Sequence, residues 1–386
     1  MTFDDALVRT RDAPGRKARE RQVDAARAEA IAAGRLPDPT LSFGIENVPV
    51  SGPSAGRFGA DEMTMQTIGV EQTVPSTSKR RAERARAEAD VEVARARGDL
   101  TAREIRLATA LAWIDLYYAK RRLAAIDRIL ETLGPLWEAG DAGVASGATR
   151  PSTALDPLQV RATLEDQRSE LLAAVGKARA ELARWTGDAE ADVLGDPPHW
   201  MVDAVALRAG LDRHPSLLLI DAGATQAAAD VDLARAQKRP DWSFGVRYGH
   251  RDPAFGDTVS GTASVSLPIF GERRQDPLIA ARLADADRIV EEREDMRRAL
   301  RAALEADLAD HAMHHDQWRR AHDVLTPLAR QRADLETASY GADRANLSDV
   351  LAAFAALAQA QLNELEREAM AERDAVRIVV TYGVDQ

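Results

Sequence analysis

The residues best suited to metal chemistry are grouped in the C-terminal half of the chain. They are His311, Met313, His314, His315 and His322. His311 and His315 are four residues apart, so in a helix they share a face and could chelate a soft or borderline divalent ion. Asp307, four residues before His311, could join them. His311, His314 and His315 are therefore weak candidates for metal ligands, and the alternative is a polar patch between helices.

Other reactive groups are sparse. Met63 and Met65 could bind Cu(I) through sulfur, although the alternative is that they are ordinary strand residues. The chain has no cysteine, which excludes disulfides, thiolate metal sites and cysteine nucleophiles. The sequence contains no glycine-rich phosphate loop followed by Lys and Ser or Thr, and no convincing pair of nucleophile and base. We therefore expect neither an enzyme nor a bound cofactor.

The composition indicates long helices rather than ordinary globular domains. Of 386 residues, 29% are charged and only 5% are aromatic, and the formal net charge is -11. A chain rich in Ala, Leu, Glu and Arg is typical of helices that pack through narrow apolar seams. The acidic balance disfavours a nucleic-acid partner.

Two segments have the period-two pattern of strands, and residues 241–269 show it most clearly. The apolar residues Trp242, Phe244, Val246 and Tyr248 alternate there with small or polar residues, and a second strand runs through Val259 to Ile269. Alternation of this kind predicts a sheet with one apolar and one polar face. Residues 40–74 predict an earlier hairpin, in which Leu41, Phe43 and Ile45 lie on the apolar side.

The rest of the sequence predicts helices in an arrangement that occurs twice. Residues 1–190 read as a helix, the hairpin 40–74, a long helix 76–133, a turn near 140–151 and a returning helix. Residues 191–386 repeat this order with the hairpin 241–269, another long helix, a turn near 341–345 and a return helix to about Val376. The 76–133 helix would be about 87 Å long at 1.5 Å per residue. We expect one intertwined unit rather than independent domains.

Isolated hairpins are marginally stable, so these two need partners. They could pack face to face in a soluble core, burying the Trp242 face against the Leu41 face. Alternatively, several copies of the chain could close a barrel in lipid, where strands of about 9 to 11 residues are needed. Four strands cannot enclose a lumen, whereas three chains would supply twelve. No apolar run reaches the roughly 18 residues of a membrane helix.

Several segments resemble the TolC family of outer membrane efflux factors, and the resemblance covers nearly the whole chain. They are TFDDAL at residues 2–7, LPIFG at 267–271, ARWTGD at 183–188, LPDPTLSFGIENVPV at 36–50 and DEMTMQTIGVEQTVP at 61–75. The last two are most similar to the heavy-metal subgroup, the CusC and CzcC kind of channel.

The resemblance implies a mainly helical fold with long antiparallel coiled-coil helices and four strands per protomer. A homotrimer would then join a twelve-stranded β-barrel in the outer membrane of a Gram-negative bacterium to a periplasmic helical barrel. A periplasmic adaptor and an inner-membrane RND pump would be its partners. Residues 1–12 lack the apolar core of a signal peptide, so an exported chain would be a mature or truncated form that has also lost any lipid-anchoring cysteine.

In the resemblance the two helical turns are the tips of the periplasmic tunnel, near Gly147 and near residues 340–347. The family's second tip reads Tyr-x-x-Gly-x-x-x-x-x-Asp-Val-Leu, which Tyr340, Asp349, Val350 and Leu351 match. Asp343 stands where Gly is usual, and Ala352 replaces the second aperture acid. Asp156 lies near the first tip. Asp349 could attract cations at the aperture, or it could cap the returning helix.

The resemblance favours a passive exit channel for heavy-metal cations such as Cu/Ag or Co/Zn/Cd. In such a channel the histidine group is more easily explained as a polar patch, because tight retention of the cargo would hinder transport. Two alternatives stay open. One is an outer membrane channel for drugs or secreted proteins, and the other is a soluble periplasmic coiled-coil adaptor or scaffold.

Overall fold

The protein is mainly helical, with one antiparallel sheet of four strands. The computed structural model describes residues 1–57, 61–137 and 155–383. In chain order its main elements are α1 (Phe3–Arg9), α2 (Pro14–Ala32), β1 (Thr40–Glu46), β2 (Met65–Val74), α3 (Thr77–Thr132), α4 (Leu155–Thr186), α5 (Ala204–Gly210), α6 (Pro215–Ala236), β3 (Trp242–His250), β4 (Thr258–Val265), α7 (Gly271–Arg320), α8 (Thr326–Gly341) and α9 (Leu347–Tyr382). Short 3-10 turns follow α1 and α5, and a five-residue π-helix joins α7 to α8.

The first helices begin and end where local chemistry requires. Thr2 caps α1 in a capping box with Asp5, which satisfies two backbone N–H groups at the helix start. Gly34 follows α2 with φ of 65°, and a Cβ atom there would lie 2.2 Å from the carbonyl oxygen of Arg80. Only glycine allows the two backbone segments to approach this closely. In this arrangement Arg80 Nε donates to the Gly34 carbonyl at 2.9 Å.

Three predicted boundaries were wrong. The single helix expected before the second hairpin is broken at His214, because the residue before Pro215 is forced into an extended conformation. The last strand ends at Val265 rather than Ile269, where Pro268 cannot donate a ladder hydrogen bond. The return helix continues to Tyr382, since its final turns pack in a core and are capped by Arg103, which donates to the carbonyls of Thr381 and Gly383 at 2.9 Å each.

All four strands form a single sheet in the order β1-β2-β3-β4, and every neighbouring pair is antiparallel. The two hairpins meet edge to edge, because β2 pairs with β3 over nine residues, from Gln66 opposite His250 to Val74 opposite Trp242. The alternative in which the hairpins pack face to face is therefore wrong. β1 and β4 are the edges of this sheet.

Contacts divide the chain into two compact units, each built from both halves of the sequence. The helical unit comprises Met1–Arg19, Gly98–Leu217 and Met296–Gln386. Its largest core surrounds Phe3, Trp113 and Leu182, which are at most 4% exposed. The sheet unit comprises Glu20–Arg97 and Leu218–Asp295 and contains all four strands. Across the described parts of both units, none of the helices has the length and apolar character needed to span a membrane.

Candidate functional site

The apolar side chains of the sheet lie on one continuous face. Residues directly opposite each other in antiparallel strands point to the same side. Phe43 is opposite Ile68, Ile68 is opposite Tyr248, and Tyr248 is opposite Val259, so one apolar row crosses all four strands. The seven predicted face residues all lie on this side, and each is at least 41% exposed: Leu41, Phe43, Ile45, Trp242, Phe244, Val246 and Tyr248. We call this surface the apolar face.

The opposite side of the sheet is polar and internally bonded. Arg247 on β3 donates from Nη1 to Glu46 Oε1 on β1 at 2.6 Å, across the intervening strand β2. Ser42 Oγ donates to the Gly69 carbonyl at 3.4 Å, also on this side. The period-two pattern predicted a polar side of the sheet, but the ion pair between Glu46 and Arg247 depends on the β2–β3 pairing, which local sequence does not reveal.

At one end of the sheet, the side chain of Arg251 connects the two hairpin loops through hydrogen bonds. Arg251 donates to the carbonyls of Gly256 at 2.7 Å and Phe255 at 2.8 Å within its own loop. Its Nη1 also donates to the Glu62 carbonyl in the β1–β2 loop at 3.1 Å. Met63 is 54% exposed in that loop, whereas Met65 begins β2. The two methionines are thus a loop residue and a strand residue.

The turn between α8 and α9 is the predicted second tip. Asp343 adopts φ of 56°, so the left-handed position usual for glycine is filled here by aspartate. Asn346 caps α9 in a capping box with Asp349, whose Oδ2 accepts from the Asn346 backbone N–H at 3.2 Å. Asp349 is exposed, whereas Val350 and Leu351 are fully buried. In this turn the acidic side chains of Asp343 and Asp349 are both exposed.

A second carboxylate lies beside this turn. Ser348 Oγ, in the first turn of α9, donates to Asp156 Oδ2 at 2.6 Å, in the first turn of α4. Both helices therefore begin with an acidic side chain, which the helix dipole favours. The sequence placed Asp156 near the first tip but not its contact with Ser348. Gly147 and the predicted turn at 140–151 lie outside the described residues.

Two of these histidines contact acidic residues of α9, one from α7 and one from the π-helix that follows it. His314 Nδ1 is 2.6 Å from Oδ2 of the buried Asp374, and His322 Nδ1 is 2.8 Å from Glu364 Oε1. The His311 and His315 rings are 6.2 Å apart, and Asp307 instead accepts from the Tyr382 hydroxyl at 2.8 Å.

The surroundings of these histidines affect their protonation. Burial lowers the pKa of His311, whereas the hydrogen bond to Glu364 raises the pKa of His322. Among the described residues, no three His, Asp or Glu side chains converge as metal ligands. His314 of α7 and His322 of the π-helix connect these segments to α9.

No protein-family model and no curated protein matches the chain. Solved structures do match over almost its full length. A membrane protein from Pseudomonas aeruginosa is 15% identical, with 99% of this chain and 90% of that chain covered and a TM-score of 0.84. The Campylobacter jejuni CmeC outer membrane channel is 12% identical, with 99% and 85% covered and a TM-score of 0.82.

CusC, a protein described for its transmembrane channel formation, is 14% identical, with 100% of this chain and 92% of that chain covered and a TM-score of 0.78. At these identities the likeness concerns the fold alone. The helical chain with four strands confirms the predicted fold class. This protein has the fold of TolC-like outer membrane channels.

Proposed function

We propose that this chain is one protomer of a trimeric outer membrane efflux channel of the TolC family. The observation that carries the proposal is the apolar face, which leaves Phe43 73% and Val246 62% exposed to the surroundings of the chain. A large exposed apolar surface marks a site of protein or membrane contact. The alternation of apolar and polar sides is the pattern of a barrel with lipid outside and water inside.

The two sheet edges support a closed assembly. β1 and β4 each have an unpaired side, and unpaired edges invite pairing with another chain. If β4 of each protomer pairs with β1 of the next, three copies give a barrel of twelve strands. The ion pair between Glu46 and Arg247 would then lie inside the barrel, where a water-filled lumen tolerates charge. This arrangement needs no membrane-spanning helix.

The proposed channel is passive and not an enzyme. It would form an outer membrane exit whose helices reach into the periplasm, and energy would come from an inner-membrane RND pump through a periplasmic adaptor. The α8–α9 turn would be one tip of the periplasmic end. Asp349 would then occur three times around the opening, and carboxylates at a narrow mouth raise the local concentration of cations.

For the cargo we propose heavy-metal cations, based on the resemblance of residues 36–50 and 61–75 to the metal subgroup. The comparison with solved structures names no cargo, so this part of the proposal needs a direct test. Deletion of the gene should therefore raise susceptibility to copper, silver, cobalt, zinc or cadmium. Raised susceptibility to organic drugs alone would favour a drug channel instead.

The channel proposal is tested by native mass spectrometry of the protein in detergent and by conductance in planar bilayers. We expect trimers and discrete conductance steps. A monomer that stays soluble without detergent and conducts no ions would contradict the proposal and favour a periplasmic scaffold.

Asp349 is tested by Asp349→Asn, which removes the charge and keeps an oxygen that can accept the capping hydrogen bond. We expect the cation-to-anion permeability ratio to fall about twofold or more, because a ring of three charges is lost. Asp334→Asn is a matched control, since Asp334 is an exposed carboxylate on α8. Equal ratios in the wild type and in Asp349→Asn would leave Asp349 with the capping role alone.

A further inference from the structure

Basic residues are concentrated at the end of the sheet where the strands join helices. We call this end of the strands the edge, as distinct from the outer strands β1 and β4. β1 and β3 begin at this edge and β2 and β4 end there, as the antiparallel register requires. The four connecting segments are residues 35–39, 75–81, 236–241 and 266–276, which we call the junction segments. Together they contain eight basic and four acidic residues, in a chain whose formal net charge is -11.

Two of the four acidic residues are already neutralised. Lys79 Nζ is 2.9 Å from Asp241 Oδ2, and Lys238 forms an ion pair with Asp276. The other two acidic residues, Asp38 and Glu272, are exposed.

Four arginines of the junction segments, in contrast, are exposed, and their side chains form neither an ion pair nor a hydrogen bond with another residue of the described chain. These junction arginines are Arg81, Arg239, Arg273 and Arg274. The edge therefore carries positive charge that the described protein does not neutralise.

The apolar face continues directly into these arginines. Beyond β4, Leu267 is 67% exposed, Ile269 is 74% exposed and Phe270 is 68% exposed. Arg274 N–H donates to the Phe270 carbonyl at 3.0 Å, the i to i+4 spacing that puts their side chains on the same side. Leu278, four residues after Arg274, is 51% exposed. An arginine between two exposed apolar residues suits a boundary between hydrocarbon and a polar layer.

At the same edge, the start of β3 carries an exposed aromatic side chain close in sequence to a junction arginine. Trp242 begins β3 on the apolar face and is 47% exposed, and its ring stacks on Phe244 with centroids 6.2 Å apart. Arg239 precedes Trp242 by three residues and is exposed. Tryptophan is favoured at the headgroup level of membranes, which places this edge at an interface rather than in the hydrocarbon.

We propose that the junction segments bind anionic phospholipid headgroups, with Arg239, Arg273 and Arg274 as the principal contacts. This proposal rests on the proposed function, in which the adjoining apolar face contacts lipid. At a membrane surface the hydrocarbon layer is bordered by phospholipid headgroups. Arginine binds their phosphate through paired N–H groups. The bound lipids would be those of the leaflet on the helix side of the barrel.

The experiment uses the purified full chain in phosphatidylcholine vesicles containing a trace of spin-labelled lipid. Electron paramagnetic resonance measures the fraction of label immobilised at the protein surface, for labelled phosphatidylglycerol and for labelled phosphatidylcholine. We expect roughly fivefold preference for phosphatidylglycerol at low salt, because one basic residue near a charged membrane has an effect of this size. The preference should fall as salt is raised.

The variant Arg239→Gln/Arg273→Gln/Arg274→Gln should bring the preference close to one. The matched control is Arg235→Gln/Arg282→Gln/Arg288→Gln, which removes the same charge from the sheet unit at exposed arginines that already form ion pairs within one helix. A preference that is absent, insensitive to salt, or lowered equally by both variants would overturn the proposal and would leave a protein partner as the occupant. Immobilised lipid without preference would overturn this inference alone, whereas no immobilised lipid would overturn the proposed function as well.

Discussion

Among the described residues, aromatic side chains are buried or partly buried in the helical unit and exposed in the sheet unit. In the helical unit, Phe3 and Trp113 are 4% and 0% exposed, and their rings meet edge to face at 5.5 Å. In the sheet unit, Trp242 and Phe244 are 47% and 51% exposed on the apolar face. A single copy of the chain therefore completes the first core but not the second. The helical unit thus encloses an aromatic core within one chain, whereas the apolar face of the sheet unit stays exposed.

Trp113→Ala tests the buried side of this comparison and should have the largest effect. The ring is enclosed, stacks on Tyr117 at 5.5 Å, and donates from Nε1 to the Met1 carbonyl at 3.2 Å. Replacing a buried tryptophan by alanine leaves a cavity that costs about 3–5 kcal/mol. Circular dichroism during denaturant unfolding in detergent measures the loss. Trp242→Ala is the matched control, and we expect it to cost about 1 kcal/mol or less; equal losses would contradict the comparison.

Val246→Arg tests the exposed side. Val246 lies near the middle of β3, opposite Gly261 on β4, and is 62% exposed. On a water-exposed surface this change would alter stability little, but at the middle of a lipid-facing strand an arginine costs about 2–4 kcal/mol. The measurement is the free energy of folding into phosphatidylcholine vesicles.

Ser264→Arg provides the control for Val246→Arg, because Ser264 lies on the polar side of β4 opposite Ser243. We expect it to fold nearly as well as the wild type, since charges are tolerated on a lumen side. If Val246→Arg folded equally well, the apolar face would not be in contact with lipid.

The comparison also shows which features a single sequence can predict. The period-two pattern placed Phe43 and Phe244 together on one apolar face, and the sequence predicted a long helix at 76–133 that runs from Thr77 to Thr132. Local pattern reports which side of a strand or helix a residue occupies. It does not report which distant segment packs against that side.

The contacts that sequence could not predict are accordingly long-range. The pairing of β2 with β3 joins segments separated by more than 160 residues, and neither strand shows its partner. Ser348 and Asp156 are 192 residues apart in sequence. His314 lies 60 residues from Asp374, so its place in the histidine group indicated a candidate metal ligand but not its contact with this buried carboxylate.

The pH dependence of stability tests whether the helical unit depends on keeping His214 buried and neutral. It is 6% exposed, and burial, followed by the charge of Arg103, lowers its pKa to about 4 from 6.5. Its Nδ1 accepts from the Ser216 backbone N–H at 3.1 Å at the start of α6. As the pH falls from 6.5 to 4 the unfolded chain binds a proton that the folded chain does not. Stability should therefore decrease through this range, by at most about 3 kcal/mol.

The measurement is the free energy of unfolding between pH 7 and pH 4 for the wild type and His214→Asn. Asparagine keeps an acceptor near the Nδ1 position and does not titrate, so the variant should lose less stability on acidification. His322→Asn is the control of opposite sign. The pKa of His322 is raised by Glu364, so this histidine stabilises the fold at low pH and its loss should increase acid sensitivity slightly. Parallel pH profiles for the wild type and His214→Asn would exclude the role of His214.

The smallest expected change in stability concerns two residues, one in each unit, that share an unusual backbone conformation. Asn47 in the sheet unit has φ of 57° and Asp343 in the helical unit has φ of 56°. Asn47 Nδ2 donates to the Met63 carbonyl at 3.2 Å, and the Asn47 carbonyl accepts from Thr64 Oγ1 at 3.0 Å. The Asp343 side chain is exposed and makes no hydrogen bond to another described residue. The same conformation is thus supported by a side-chain contact in one unit only.

Replacement by glycine should therefore have opposite signs at the two positions. In Asp343→Gly the free energy gained by removing left-handed strain exceeds the free energy lost to the greater conformational freedom of the unfolded chain. We expect the free energy of unfolding to rise by about 0.5 kcal/mol. In Asn47→Gly the strain of a well-tolerated asparagine is small, whereas a hydrogen bond worth about 1 kcal/mol is lost. Denaturant unfolding of the two variants measures both changes. Glycine adopts the left-handed conformation of Asp343 without a side chain. A loss of stability in Asp343→Gly would therefore mean that the Asp343 carboxylate has a stabilising partner that does not belong to the same chain.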